Sequence, residues 1–483
     1  MSIEDVLARV RALRADDAPT HGGRTLAYVY DSGLAELDEL GARAHALASS
    51  ANALDPTTFP GLLRMENDLV ATTAALLGGT DETVGTVTSG GTESCLLAVL
   101  AARQGRPDVA DPALVVPTTV HAAFRKAAHY FGLRLVEVEV DPVTFRADAA
   151  AMASAIDDDT VLVVASAPSY AHGVIDPIPE IAAAAAARGV RMHVDACIGG
   201  WVLPYLRRLG VDGPAFDFSV EGVTSISVDL HKYAYCPKGT SVLLFANAEA
   251  RRGHYFGCAD WPGYTMLNTT LQSTRSGGPL AAAWAVVTHL GEDGYLRLAR
   301  ETLFAVREIR HGIESIEGLR ILGEPDSTLL AVATRGTPEE VGFDLFTVAD
   351  EMRDRGWYVQ PQFAHGHSPV NLHLTVTAAN RGSEQEFVVD LRDSVEAACA
   401  AGPVSVDPSL REFLLTLDPD RLTPEQFAGL LAGAGLAPGE GEGTGLPKRM
   451  ASINALLDAA PARLRERVLL EFLALLYRPT PSA

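Results

Sequence analysis

An α/β protein built on a mostly parallel sheet is predicted by three features of this 483-residue sequence. First, β-rich and helical runs alternate: Leu114 to Pro117, His121 to Phe131, Leu133 to Val140, Ala147 to Ile156, Val161 to Ser166 and Ile178 to Ala187. Such alternation makes βα units whose parallel sheet is buried on both faces. Second, polar motifs stand at the ends of the apolar runs, where ligands of open α/β sheets bind. Third, 47% hydrophobic content over this length can bury one large core and a smaller one, so two or three domains are expected.

The chain opens with Ile3, Val6, Leu7, Val10 and Leu13 at helical spacing, an amphipathic arm suited to docking on something larger. His21 to Arg24 turns into a short extended piece through Tyr30, and a helix is expected from Gly33 to Ala48. Asn52 to Gly61 forms a proline-bearing loop, followed by a helix from Leu62 to Leu77 that Gly78-Gly79 ends. A short strand then runs through Thr88-Ser89-Gly90-Gly91-Thr92-Glu93-Ser94 into the apolar helix Cys95 to Arg103. Paired glycines admit an anion to the backbone, and a helix start offers free amides and a positive dipole end. With neither the lysine of a P-loop nor dinucleotide-fingerprint spacing, a single phosphate group is the better ligand; a plain turn and helix cap is the alternative.

His121 follows Val115-Val116-Pro117, Ser166 to Gly173 follows Val161 to Val164, and Asp195 ends Val190 to Val194. Asp195 reads equally as a helix cap or as the partner of a buried cation. His193 and Asp195 share a strand face but lack a third ligand, so no metal is expected, and His365-Gly366-His367 are most simply solvated. After the alternating run Val223 to Val228 comes His231-Lys232, before the strand Ser241 to Phe245. A lysine alone on such a turn is ordinarily a surface residue. Set into an α/β core, its amine would be desolvated and its pKa lowered, giving the neutral form that imine chemistry needs.

Gly257 to Ser276 reads as irregular, followed by a long helix from Pro279 to His289 and by a second, near Tyr295 to Glu314, that would join the large domain to the smaller one. The smaller domain is α+β, with strands near Leu329 to Ala333 and Leu372 to Thr377 and helices Leu345 to Arg355 and Glu384 to Cys399. Helices are expected at Leu410 to Leu417, Pro424 to Leu431 and Met450 to Tyr477, with a linker at Leu436 to Gly445. The resulting division is 1–60, an arm and substrate-facing loop; 61–290, the large domain; 291–400, the small domain; and 401–483, a helical extension.

Asp and Glu total 61 against 39 Lys and Arg, a formal charge of −22 that argues against nucleic acid and anionic membranes as partners. Cys95, Cys197, Cys236, Cys258 and Cys399 form no C-x-x-C pair, which fits a reducing cytoplasm rather than a disulfide framework. The N-terminus lacks the apolar core of a signal peptide, and no apolar stretch is long enough to span a membrane.

A phosphate cup, a flat histidine, an interior aspartate and a loop lysine meet the four needs of pyridoxal 5'-phosphate: phosphate, ring, pyridine nitrogen and aldehyde. From His21 to Cys399 the chain resembles the group II pyridoxal-dependent decarboxylase superfamily, and within it the sphingosine-1-phosphate lyases. The motifs that carry the resemblance are Thr88 to Ser94, His121 to Phe124, His193 to Cys197 and Val223 to Tyr233. It implies a fold-type I transferase-like architecture with a seven-stranded sheet, and a homodimer with a shared active site. Lys232 would carry the cofactor as a Schiff base, His121 would stack on its ring and Asp195 would pair the pyridine nitrogen. Gly91, Thr92 and His231 would hold the phosphate, with Ser89 and Gly90 also binding the cofactor and Thr274 reaching in from the neighbouring subunit. Tyr170 would serve near the reacting bond, and Tyr30, Asn52 and Lys238 would contact a phosphorylated amine. The implied reaction is retro-aldol cleavage to an aldehyde and phosphoethanolamine. Asp55, where lyases of this type carry histidine, would repel a substrate phosphate, so a group II amino-acid decarboxylase is the alternative.

Overall fold

Seven strands form the central sheet of the computed structural model, which describes residues 1–433 and 448–479. They are β1 (Val84–Thr88), β2 (Ala113–Pro117), β3 (Arg134–Val138), β4 (Thr160–Ser166), β5 (Arg191–Asp195), β6 (Val223–Asp229) and β7 (Ser241–Phe245), in the order β1-β7-β6-β5-β4-β2-β3. The β3-β2-β4-β5-β6 neighbours are parallel, whereas β7 runs antiparallel to both β6 and β1. The segment Leu230 to Thr240 carries no crossover helix, so β7 must return antiparallel. That return makes the Lys232 turn leave the carboxyl end of β6, beside the end of β5. Every residue of β2 and β4 is buried, as expected of valine-rich strands covered on both faces.

The helix Gly91–Gly105 starts four residues earlier than its apolar run suggests, because Gly91 to Ser94 form its first turn. A helix at Gly199–Arg208 was not legible: Gly199, Gly200 and Pro204 all lower helix propensity. Packing overrides propensity there, since a Cβ on Gly200 would lie 2.7 Å from Val228 Cγ2. The stretch expected to be irregular contains a hairpin, β8 (Phe256–Cys258) with β9 (Met266–Asn268). The two helices expected at Pro279 to His289 and near Tyr295 to Glu314 are present, joined end to end as Gly277–Glu314 across a kink at Gly291, where φ is 53°.

Contacts divide the chain into two compact units. Unit 1 holds Met1–Glu308, Leu322–Ala331 and Thr375–Ser383; unit 2 holds Ile309–Ile321, Val332–Leu374 and Glu384–Ala483. The expected boundary at 290 falls at the Gly291 kink, but the helix stays with unit 1 to Glu308. A second sheet, of order β10-β11-β13-β12, contains β10 (Leu319–Ile321), β11 (Leu329–Thr334), β12 (Gln360–Gln362) and β13 (Asn371–Thr375). Within unit 2, the helix expected over Met450 to Tyr477 is two, Ala451–Ala459 and Ala462–Leu476, because Pro461 cannot continue the first. They pack with Leu414 and Phe427 into a small core of their own. The linker expected at Leu436 to Gly445 lies outside the described residues.

Candidate active site

A cavity of about 500 Å³ opens at the carboxyl ends of β4, β5 and β6, within unit 1. Its walls bring together Ser89, Gly90, Gly91, Thr92, His121, Tyr170, Asp195, His231, Lys232 and Lys238. Sequence separations of up to 149 residues thus collapse into one site, and each side chain is placed by a distinct local device.

No side chain caps the helix Gly91–Gly105, whose N-cap is Gly90, so its first amides remain available to an anion. Glu93 anchors the cup from behind, accepting hydrogen bonds from the amides of Ser89 (2.7 Å) and Leu271 (2.9 Å). His121 is the N-cap of the helix Ala122–Phe131, and its Nδ1 accepts from the Ala123 amide at 3.2 Å. Acceptance at Nδ1 assigns the proton to Nε2 and fixes the ring's orientation. Asp195, at the tip of β5, accepts from the Cys197 amide at 3.1 Å. His193 is committed elsewhere, its ring bridging Ser225 at 2.8 Å and Ser227 at 3.1 Å. Cys95, Asp195 and Cys197 offer ligand atoms within 4.8 Å of one another. The Cys197 thiol, hydrogen-bonded to Cys95 and buried, is held well above the usual thiol range and stays protonated.

Lys232 departs from the expected electrostatics. Burial pulls its pKa down, but the Asp229 carboxylate, together with smaller contributions from Tyr30 and Cys197, overcomes that, and the net shift is well upward. Nζ lies 2.8 Å from Asp229 Oδ2 in an ion pair whose side chains are 19% and 3% exposed. The free amine is therefore an ammonium, not the neutral form that desolvation alone would give. Asp229 is a site residue that sequence reasoning passed over, because it follows the alternating run Val223 to Val228 with nothing in its immediate sequence to mark it. The signal available was its position three residues before the lysine, close enough to pair across one turn.

Lys238 Nζ donates to the Tyr28 carbonyl at 2.9 Å and sits 5.3 Å from the centre of the Tyr30 ring. Burial of the surroundings, then the charge of Lys232, pushes its pKa down. Tyr30 packs edge-on against Tyr233 at 5.2 Å, and burial raises its phenol's pKa. Tyr30, Asn52, Asp55 and Thr274 do not line this cavity. Asn52 Oδ1 accepts from the amides of Leu54 (3.0 Å) and Arg275 (3.2 Å), stapling its loop to the segment carrying Thr274. Asp55 lines a second cavity of about 760 Å³ with Tyr255, Phe256 and Tyr264. Its carboxylate accepts from the hydroxyls of Thr57 (2.6 Å) and Thr58 (3.0 Å) and from both amides, which pulls its pKa down to about 2.

The cavity offers an anion cup, a carboxylate at its floor, an oriented imidazole and an amine, which is the donor set pyridoxal phosphate requires. Fold and site together define a pyridoxal phosphate-dependent enzyme. The conserved domain of pyridoxal-dependent decarboxylases matches residues 32–334, and the C-terminal HTH domain of pyridoxal-dependent enzymes matches 408–475. A Dictyostelium discoideum sphingosine-1-phosphate lyase is 40% identical over 395 residues, 81% of this chain and 72% of that protein. The rat sphingosine-1-phosphate lyase 1 is 36% identical over 82% of this chain and 68% of its own length. A solved sphingosine-1-phosphate lyase of Burkholderia pseudomallei superposes with a TM-score of 0.77 at 37% identity, covering 88% of this chain and 96% of that one. The chain belongs to the sphingosine-1-phosphate lyase family and is a pyridoxal phosphate-dependent lyase. The Lactobacillus brevis glutamate decarboxylase, at 20% identity and a TM-score of 0.73, shares the fold.

Proposed function

We propose that this enzyme cleaves the carbon–carbon bond beside the amine-bearing carbon of a phosphorylated long-chain amino alcohol, releasing an aldehyde and phosphoethanolamine. The observation that carries the substrate class is that Lys238 opens onto the Lys232 cavity while Asp55 does not. The cation suited to a substrate phosphate is at the reacting end, and the carboxylate that favoured an amino-acid decarboxylase is tied up on Thr57 and Thr58.

When bound, pyridoxal phosphate supplies the electron sink for the pair left on the amine-bearing carbon. The chain's residues do the rest. The amides of Gly90, Gly91 and Thr92 and the Thr92 hydroxyl would hold the cofactor phosphate with His231, the Ser89 amide being tied to Glu93, and Asp195 would keep the pyridine nitrogen protonated. His121 would cover the ring, Lys232 would anchor the aldehyde, and Lys238 with the neighbouring Tyr30 would receive the substrate phosphate. Tyr170 would take the hydroxyl proton in the retro-aldol step, since the freed Lys232 amine is already an ammonium.

The enzyme is proposed to be a cytoplasmic homodimer, with a small-molecule amine as its partner and neither nucleic acid nor a membrane span. Several observations support this. All five cysteines are free, and no helix among the described residues is long and apolar enough to cross a membrane. The helix Ile3–Leu13 buries none of its residues, and Phe256, Tyr264 and Leu267 at the second cavity are more than half exposed. A second copy would cover such apolar surface and place Asn52, Asp55 and Thr274 against its partner's site. In the C-terminal region, Arg463 pairs with Asp420 at 2.9 Å and Arg467 with Glu471 at 2.9 Å, which leaves less positive charge for a phosphate backbone.

The test is release of a long-chain aldehyde and phosphoethanolamine from a phosphorylated sphingoid base, with carbon dioxide release from amino acids measured in parallel. Carbon dioxide without aldehyde would overturn the reading. Mixing inactive Lys232→Ala with inactive Thr274→Ala protein should restore part of the activity if the site is shared; no recovery in a verified mixed dimer would refute sharing.

A further inference from the structure

The amine of Lys232 rests on an acid that none of the roles above uses. Asp229 Oδ2 is 2.8 Å from Nζ, while Ser241 Oγ donates to Oδ1 at 2.6 Å. The Asp229 amide donates to the Cys197 carbonyl at 3.1 Å, which fixes the backbone between β6 and the turn. The cup helix presses on the carboxylate from the other side: a Cβ on Gly91 would lie 2.7 Å from both oxygens. Asp229 is thus tied through both carboxylate oxygens and its own amide, beside the start of the cup helix.

We propose that Asp229 is a positioning residue that holds Lys232 as an ammonium whenever its amine is not bonded to the cofactor. The proposal rests on the reading of Lys232 as the cofactor's anchor. Around that amine stand Asp229 and His231 from its own turn, Lys238 from the same loop, Cys197 beyond β5 and Tyr30 from the N-terminal segment. Asp229 is the carboxylate in contact. Burial alone would raise its pKa, but Lys232 and then His231 overcome this and bring it below the usual range. Both partners are therefore charged at neutral pH, as a buried ion pair with its remaining lone pair satisfied by Ser241 can be.

Two consequences follow for the chemistry. To capture the cofactor, the Lys232 nitrogen must attack the aldehyde carbon with its lone pair, the carbonyl oxygen leaving as water; an ammonium must first lose its proton to solvent. Asp229 therefore slows capture at neutral pH and moves it to higher pH. In turnover, the incoming substrate ammonium would give up its proton to the displaced Lys232 amine, and the same contact would keep that ammonium in place to return a proton to the reacting carbon.

Asp229→Asn is the informative change, because the Asn oxygen can still accept from Ser241. Trace labelling of the cofactor-free protein with an amine reagent across a pH series, read peptide by peptide, gives the titration midpoint of each lysine. The exposed Lys126 is the internal reference. In the wild type, Lys232 should titrate at least about one pH unit above Lys126, and in Asp229→Asn it should fall below the wild-type midpoint by at least that much. Cofactor uptake near neutral pH, followed by visible absorbance, should become about tenfold faster in the variant while turnover becomes slower. A wild-type midpoint equal to that of Lys126, or one unmoved by the substitution, would overturn the proposal, and the wild-type measurement needs no variant to fold. Borohydride fixation on Lys232 tests the underlying reading separately: if the cofactor is fixed elsewhere, the functional reading of Lys232 fails whatever its titration midpoint.

Discussion

Lys238 and Asp55 were competing arguments about one substrate group, and their side chains settle into different surroundings. Lys238 has one hydrogen bond, to a backbone carbonyl, and its charge opens onto the site. Asp55 has four donors of its own. Lys238→Gln should raise the KM for a phosphorylated amine by at least about tenfold, the worth of a charge-assisted contact, and leave the visible absorbance of the bound cofactor unchanged. Steady-state kinetics and a spectrum of the same sample decide this; an unchanged KM removes Lys238 from the substrate's path. Asp55→Ala should loosen its loop more than it changes chemistry, with kcat within about twofold of the wild type, since the lost interactions are exposed turn bonds. The residues legible in the sequence were those whose type is costly in their context: a histidine, an aspartate and a lysine at strand ends, and paired glycines before an apolar helix. Asp229 was illegible because an acid closing a strand is ordinary in one dimension; its meaning depends on the turn that folds Lys232 back onto it.

At the scale of elements, the site depends on how near the helix Gly91–Gly105 comes to the ends of β5 and β6. Gly91 sets that approach, because a Cβ there would lie 2.7 Å from the Asp229 carboxylate and 2.9 Å from Cys197 Sγ. The neighbours are buried, so they cannot yield cheaply. Gly91→Ala should push the helix start outward, weakening cofactor binding at least about tenfold while costing ~1–3 kcal/mol of stability, the usual range for overpacking. A cofactor titration alongside a urea melt separates the two effects, and unaltered cofactor affinity would show that the cup does not rely on this approach. Elements with uniform periodicity, such as β4, β7 and the helix Ile178–Ala187, were readable to within a residue at each end. Elements made by packing against local propensity were not. The helix Gly199–Arg208 forms around glycines and a proline, and the β8-β9 hairpin has strands of three residues, too short to show alternation.

Across unit 1 as a whole, three histidines are buried away from the site and carry no role in it: His172, His193 and His254, at 2%, 0% and 3% exposure. Burial pushes each down to about 4. Because these folded pKa values lie below the unfolded one of about 6.5, the unfolded chain binds protons first as pH falls. Stability is therefore intact above that value and lost progressively down to the folded pKa, with roughly 2 kcal/mol per histidine at stake between about pH 7 and pH 5. Asp176 works in the opposite direction. Burial raises it to about 6, so its protonation over the same interval stabilises the fold and offsets roughly 1 kcal/mol. The histidines outnumber it, and the cofactor-free enzyme should lose several kcal/mol between those two pH values, seen as a lower urea midpoint by tryptophan fluorescence. His193→Gln should shrink that pH-dependent loss by roughly 2 kcal/mol even though it also weakens the protein near pH 7 by removing the bonds to Ser225 and Ser227. A loss of the same size in variant and wild type would show that His193 is not neutral in the folded core, and that the acid sensitivity of this sheet has its origin in other groups.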